Sequence, residues 1–108
     1  MKKVWGYKMA KATYNGVVVA EANDEDTIRI EGGTYFPPSS LKKEYFEQTD
    51  KHTSCHWKGE ATYFNLNVNG ETGENLAWSY PEPIDGANDT VGKDFTDFVS
   101  FYPQVTVS

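Results

Sequence analysis

A two-residue period constrains this chain more than any other feature. From Glu60 to Val68 the side chains alternate: Phe64, Leu66 and Val68 fall on one face, Tyr63, Asn65 and Asn67 on the other. Successive side chains of an extended strand point to opposite sides, so the pattern predicts a β-strand. Two Asn-Gly dipeptides, Asn15-Gly16 and Asn69-Gly70, add turn signals. Both central residues of a type I′ hairpin turn need positive φ, which Asn and Gly tolerate best. "KATYNGVVVAEA" therefore reads as an alternating segment, a tight turn and a Val-rich strand. "TIRIEGG", Thr27 to Gly33, predicts another strand, with Ile28 and Ile30 on one face and Arg29 and Glu31 on the other.

Elsewhere the β pattern is interrupted. Pro37 and Pro38 block ladder pairing, and Ser39 or Ser40 suits the N-cap of a short helix with Leu41 and Tyr45 on one face. "TDKHTS" reads as a polar link into "CHWKGEATYFNLNVNG". After Asn69-Gly70, "ETGEN" suggests a loop longer than two residues before the short strand "LAWSY", which "PEP" stops. Val91, Phe95 and Phe98 have weak helical spacing within the region from Ile84 to Asp97. "VSFYPQVTV" predicts a last strand, with Pro103 at an edge or a bulge. The expected fold is mainly β: one domain over residues 1–108, a small antiparallel sheet with one or two short helices.

Sixteen acidic residues against ten basic ones give a net charge of −6. That balance argues against sequence-independent nucleic-acid binding and against anionic membranes, which both require clustered Lys and Arg. Arg29 is the single arginine, so an arginine-lined phosphate clamp is not expected. A single cysteine, Cys55, excludes an internal disulfide and a multi-cysteine zinc site. "MKKVWGYKMAK" has basic residues but no apolar run, and no segment is long and apolar enough to span a bilayer. The expected setting is the cytoplasm, as a monomer or homodimer.

The chemistry-bearing residues gather in "HTSCHWKG", His52 to Gly59. In an extended strand Cys55 and His56 point to opposite faces, which works against a Cys-His pair unless a turn falls there. Cys55 then reads either as a buried, inert thiol or as one activated by cationic neighbours. A metal site would need His52, Cys55, His56 and distant carboxylates to converge, and none is expected. Lys58 suits an anion contact or an amine nucleophile; the plainer reading is a surface lysine paired with Glu60 or Glu31. Gly59 removes bulk beside Lys58, leaving room for a ligand or another strand. Glu31, followed by two glycines, is the candidate general base. Tyr35, Trp57, Trp78 and Tyr80 stand near strand ends, where amphipathic rings line a cleft or fill a core.

The order of "YNGVVVAEA", "TIRIEGGTYFPP", "TSCHWKGEATYFNL", "AWSYPEP" and "FYP" resembles domain-of-unknown-function family 427, also filed under a nucleotidyltransferase label. The resemblance covers about residues 11–107 and implies a β-tent, or Mss4-like, fold. Cys55, Trp57, Lys58 and Gly59 match its Cys-Pro-Trp-Lys-Gly pattern, while Trp78, Tyr80 and Pro81 match Trp-x-Tyr-Pro. Gly16 matches its first turn glycine. Glu31, Gly32, Tyr35, Phe36 and Pro37 match its Glu-Gly and Tyr-Phe-Pro elements. His56 departs from it by replacing a proline. Many β-tent relatives hold zinc through paired cysteines, and this chain lacks those pairs.

Three functions follow as expectations. The first is a small-molecule cleft, with or without enzymatic activity, around Glu31, Tyr35, Trp57, Lys58 and Trp78. Its ligand would be anionic or carbonyl-bearing, with no cofactor. The second is a non-catalytic protein- or peptide-interaction module. A nucleotidyltransferase ranks third, since no nucleotide motif or paired-aspartate metal site is visible.

Overall fold

The computed structural model describes residues 8–108. Residues 1–7, most of the basic N-terminal stretch, lie outside the described residues. Three two-residue turns set the local architecture. Asn15-Gly16 joins β1 (Met9–Tyr14) to β2 (Val17–Asn23), and Asn69-Gly70 joins β6 (Gly59–Val68) to β7 (Glu71–Ser79). The third is Glu31-Gly32, between β3 (Ile28–Ile30) and β4 (Gly33–Tyr35). Their φ values nearly coincide, at 51° and 81°, 52° and 80°, and 52° and 83°. This positive-φ pair is the type I′ signature that follows the twist of the flanking strands.

Two of these turns correct the sequence reading. The loop expected at "ETGEN" is instead the start of β7, because Asn69-Gly70 alone reverses the chain. The strand expected over Thr27 to Gly33 ends at Ile30, so Glu31 sits on the turn rather than on the face shared with Arg29. Ile28 and Ile30 are both buried with Arg29 exposed between them, as their alternation predicted.

The "TDKHTS" link is also strand: it lies within β5 (Phe46–Cys55), at the edge of the sheet β5-β6-β7-β8. An edge strand with most side chains in water carries no apolar alternation, which hid it in the sequence. No α-helix follows Ser39 or Ser40. Two 3-10 turns, Pro38–Ser40 and Lys43–Tyr45, flank Leu41 and Lys42, which attach to β2 instead. The Lys42 N–H donates to the Val19 carbonyl at 2.8 Å, and that bond stops helical propagation. The region from Ile84 to Asp97 keeps one short helix, α1 (Ala87–Val91), which ends at Gly92. "VSFYPQVTV" splits into β8 (Val99–Phe101) and β9 (Thr106–Val107), which join different sheets on either side of Pro103.

All described strand pairs are antiparallel. The β5–β8 sheet is packed on both faces. Leu66, Val68 and Leu76 join Ala12, Val19 and Phe36 in one core, against β1 and β2. Ala61, Tyr63 and Tyr80 join Ile28, Ile30 and Tyr35 in the other, beneath the β3–β4 hairpin. Neighbouring Tyr35 and Phe36 therefore enter opposite cores. Phe36 exchanges two backbone hydrogen bonds with Val99, at 2.8 and 2.9 Å, and so ties the hairpin strand to β8. Its ring is fully buried and meets Phe101 edge-on at 5.7 Å. Replacing Phe36 by Ala should cost about 3–5 kcal/mol, read as a lower urea midpoint. An unchanged midpoint would mean that this ring is not a core anchor.

Candidate functional site

The β5–β6 connection brings the chemistry-bearing residues together. β5 ends at Cys55, β6 begins at Gly59, and the two residues pair across the turn. His56, Trp57 and Lys58 are thus a turn rather than an extended run, and the alternation expected from Cys55 to Glu60 does not hold. His56 points into solvent, while Lys58 turns inward and retains 5% exposure. Gly59 has φ +121°, and a Cβ there would lie 3.0 Å from the Glu82 carbonyl. The space beside this glycine belongs to the Glu82–Ile84 backbone, whose Ile84 N–H donates to the Lys58 carbonyl at 3.0 Å. Of the two uses the sequence suggested for Gly59, the close approach of another segment is the one seen.

Lys58 Nζ donates to the Glu31 carboxylate. It also lies 4.7 Å from the Trp57 ring centroid and 5.6 Å from that of Tyr80, both within cation–π range. Glu60, the other partner considered for Lys58, lies 3.9 Å from His52 instead. The carboxylate of Glu31 remains 60% exposed although its lysine partner is buried. Among the described residues five non-glycine residues have positive φ; four are Asn or Asp, and Glu31 is the fifth. Left-handed backbone costs an ordinary L-residue about 1–2 kcal/mol, a penalty that Asn and Asp partly escape by local hydrogen bonding. The Glu31 side chain is long enough to reach Lys58 from a turn position that Asn would fill at lower cost.

Electrostatics follow this geometry. The hydrogen bond from Lys58 holds the Glu31 carboxyl below its ordinary value, with a further contribution from the Trp57 side chain. Burial pushes the Lys58 ammonium toward losing its proton, but Glu31 and Cys55 outweigh it and raise the lysine above its ordinary value. Lys58 is therefore a cation at neutral pH and not a free amine nucleophile. Burial likewise opposes ionisation of Cys55. Hydrogen bonding from the backbone N–H groups of Trp57 and Lys58, together with the lysine charge, still brings the thiol below its ordinary value. Tyr35 and Tyr80 are raised, chiefly by burial, and remain neutral phenols.

Tyr35 and Tyr80 belong to one core, Cys55, Trp57 and Trp78 pack against it, and Lys58 connects Glu31 to the Trp57 and Tyr80 rings. Trp78 donates its indole N–H to the Tyr35 hydroxyl at 3.2 Å, and Tyr35 and Tyr80 lie 6.5 Å apart. Two further members, Tyr63 and Tyr102, escaped the sequence reading: Tyr102 packs 4.7 Å from Trp78, and Tyr63 lies 6.3 Å from it. The alternation of β6 had marked the face of Tyr63, but nothing local marked Tyr102. Four grooves among the described residues are lined by other side chains. Among the described residues, no three His, Cys, Asp or Glu side chains form a ligand set.

The Cys55 environment gives a direct test. Alkylation of the native protein by iodoacetamide should rise with pH through a midpoint below the ordinary thiol value of 9.0. Lys58→Met should move that midpoint upward, because it removes a positive charge that favours the thiolate. A native thiol that does not react, or a midpoint indifferent to Lys58, would contradict this account.

Comparison with known proteins extends the result from the site to the chain. No curated protein is significantly similar to it. A family model described as Domain of unknown function (DUF427), with the short label NTP_transf_9, matches residues 6–108. The match includes every residue of the Glu31–Cys55–Lys58 cluster and extends slightly beyond the span expected from the motifs. The chain belongs to the DUF427 family.

Proposed function

We propose that Lys58 binds a small molecule through a carboxylate or carbonyl oxygen, with Glu31 as the acid–base group and Cys55 as the adjacent nucleophile. One observation carries this reading: a buried ammonium whose carboxylate partner is exposed and stands on a positive-φ turn. Desolvating an ammonium is expensive, and the carboxylate that offsets this cost stands largely in water, free to turn away from the lysine. Such a pair makes a poor structural rivet but a good exchangeable contact. The Glu31 side chain can rotate into water and leave its place on Lys58 to a ligand oxygen. Its departure also frees the Trp57 side chain, while the Trp57 and Tyr80 rings stay as walls.

For a carbonyl ligand the chemistry is reversible addition. The Cys55 sulfur bonds to the carbonyl carbon and the C=O π pair moves to oxygen. The thiol proton passes to the displaced Glu31 carboxylate and from it, through solvent, to that oxygen, giving a hemithioacetal with no further reactant. Lys58 stabilises the developing negative charge. Nucleotidyl transfer finds less support here, because the site offers one lysine already paired with a carboxylate.

A panel of short carboxylates, aldehydes and 2-oxo acids, followed by thermal shift and calorimetry, tests the proposal. Glu31→Gln should tighten carboxylate binding by about two- to five-fold, the worth of the exposed ion pair it removes. Lys58→Met should abolish binding. No binding to the wild type or to Glu31→Gln would overturn the proposal.

A further inference from the structure

The other face of the same sheet carries a second site, independent of Lys58. Here the β5–β8 sheet outruns the layer that covers Leu66 and Val68, leaving a groove of about 410 Å³. Its floor is Phe46, Phe64 and Val99, with the two phenylalanines edge-on at 6.2 Å, and Pro38 and Leu41 form a wall. The volume falls within the range of small-molecule pockets.

A smaller hollow of about 240 Å³ adjoins it, lined by Glu60, Thr62, Pro81 and Glu82. The two lie side by side on one face of the sheet, because Ser79, which lines the first, pairs directly across the ladder with Thr62, which lines the second. Directly paired residues project from the same face with their Cβ atoms about 5 Å apart. Asp97, on the rim of the larger groove, donates its backbone N–H to the Tyr80 carbonyl at 3.1 Å. That bond sets Asp97 beside Pro81 and Glu82. Glu60 and Glu82 line the hollow and Asp97 the neighbouring end of the groove, with His52 3.9 Å from Glu60, while Lys43 lines the groove alongside Leu41.

We infer that this composite groove binds an arylalkylamine: an aromatic body on Phe46 and Phe64, and one ammonium at the Glu60–Glu82–Asp97 end. Charge complementarity selects the class. A carboxylate of the same shape meets the acidic end, and a diamine brings a second cation toward Lys43.

Phenethylamine and 3-phenylpropionate, matched in size and opposite in charge, are the probes. In ¹H–¹⁵N NMR titrations of the full chain, phenethylamine should saturably shift the amides of Phe46, Thr62, Phe64, Ser79 and Val99. The double variant Glu60→Gln/Glu82→Gln changes only exposed side chains, and should weaken the amine by about three- to ten-fold without unfolding the protein. Phe46→Ala should weaken it as well. The inference is overturned by an absence of saturable shifts, by shifts confined to the Lys58 turn, or by equal binding of amine and carboxylate.

Discussion

The central strand β6 is packed on both faces, and the rest of the structure depends on that constraint. A strand packed on one side could slip in register and lose only part of its core. Here a one-residue slip of β6 would exchange Tyr63 for Phe64 and damage two cores together. The same sidedness divides the functional surface: the Lys58 cluster lies on the Tyr63 face and the aromatic groove on the Phe64 face. Irregular register between β6 and its neighbours adjusts the sheet at this level. β5 shifts between Gln48 and His52, and β7 is offset across Phe64 and Leu66. Asn65 and Asn75 organise the second irregularity through a bond from the Asn75 N–H to the Asn65 side chain at 2.9 Å.

On this frame the Glu31–Lys58 contact links two turn tips, the one between β3 and β4 and the one between β5 and β6. It combines three unfavourable choices: a glutamate at positive φ, a buried ammonium and an exposed partner carboxylate. Each has a cheaper alternative, such as Asn at the turn or an apolar residue in the core. Strained backbone and buried charge that persist together mark places where function competes with stability. Cys55 lies beside that charge, and the same lysine favours ionisation of its thiol.

Much of the fold was legible because alternation and turn chemistry are local signals. Ile28 and Ile30, Phe64 and Leu66, and both Asn-Gly turns declare themselves within a few residues. β5 did not, since a solvated edge strand has no apolar stripe to read. The helix expected after Ser40 failed for a different reason: a bond from Lys42 to Val19, distant in sequence, fixed the backbone in another conformation. At the site, residue types were legible and geometry was not. Glu31, Cys55, Trp57 and Lys58 stood out by composition and motif. Strand parity then misplaced their side chains, because the chain turns at Glu31-Gly32 and again between Cys55 and Gly59. Glu31-Gly32 flanked by two short β segments was a readable turn signal, obscured by a glutamate where Asn or Asp is usual.

The account rests on Glu31 keeping a buried lysine charged, and the titration of Lys58 tests this most directly. With ¹³Cε-labelled lysine, NMR should place the Lys58 midpoint above the ordinary 10.5 in the wild type. In Glu31→Gln the carboxylate no longer opposes burial, and the midpoint should fall from its wild-type position. A wild-type midpoint at or below the ordinary value, or one that Glu31→Gln leaves unmoved, would contradict it.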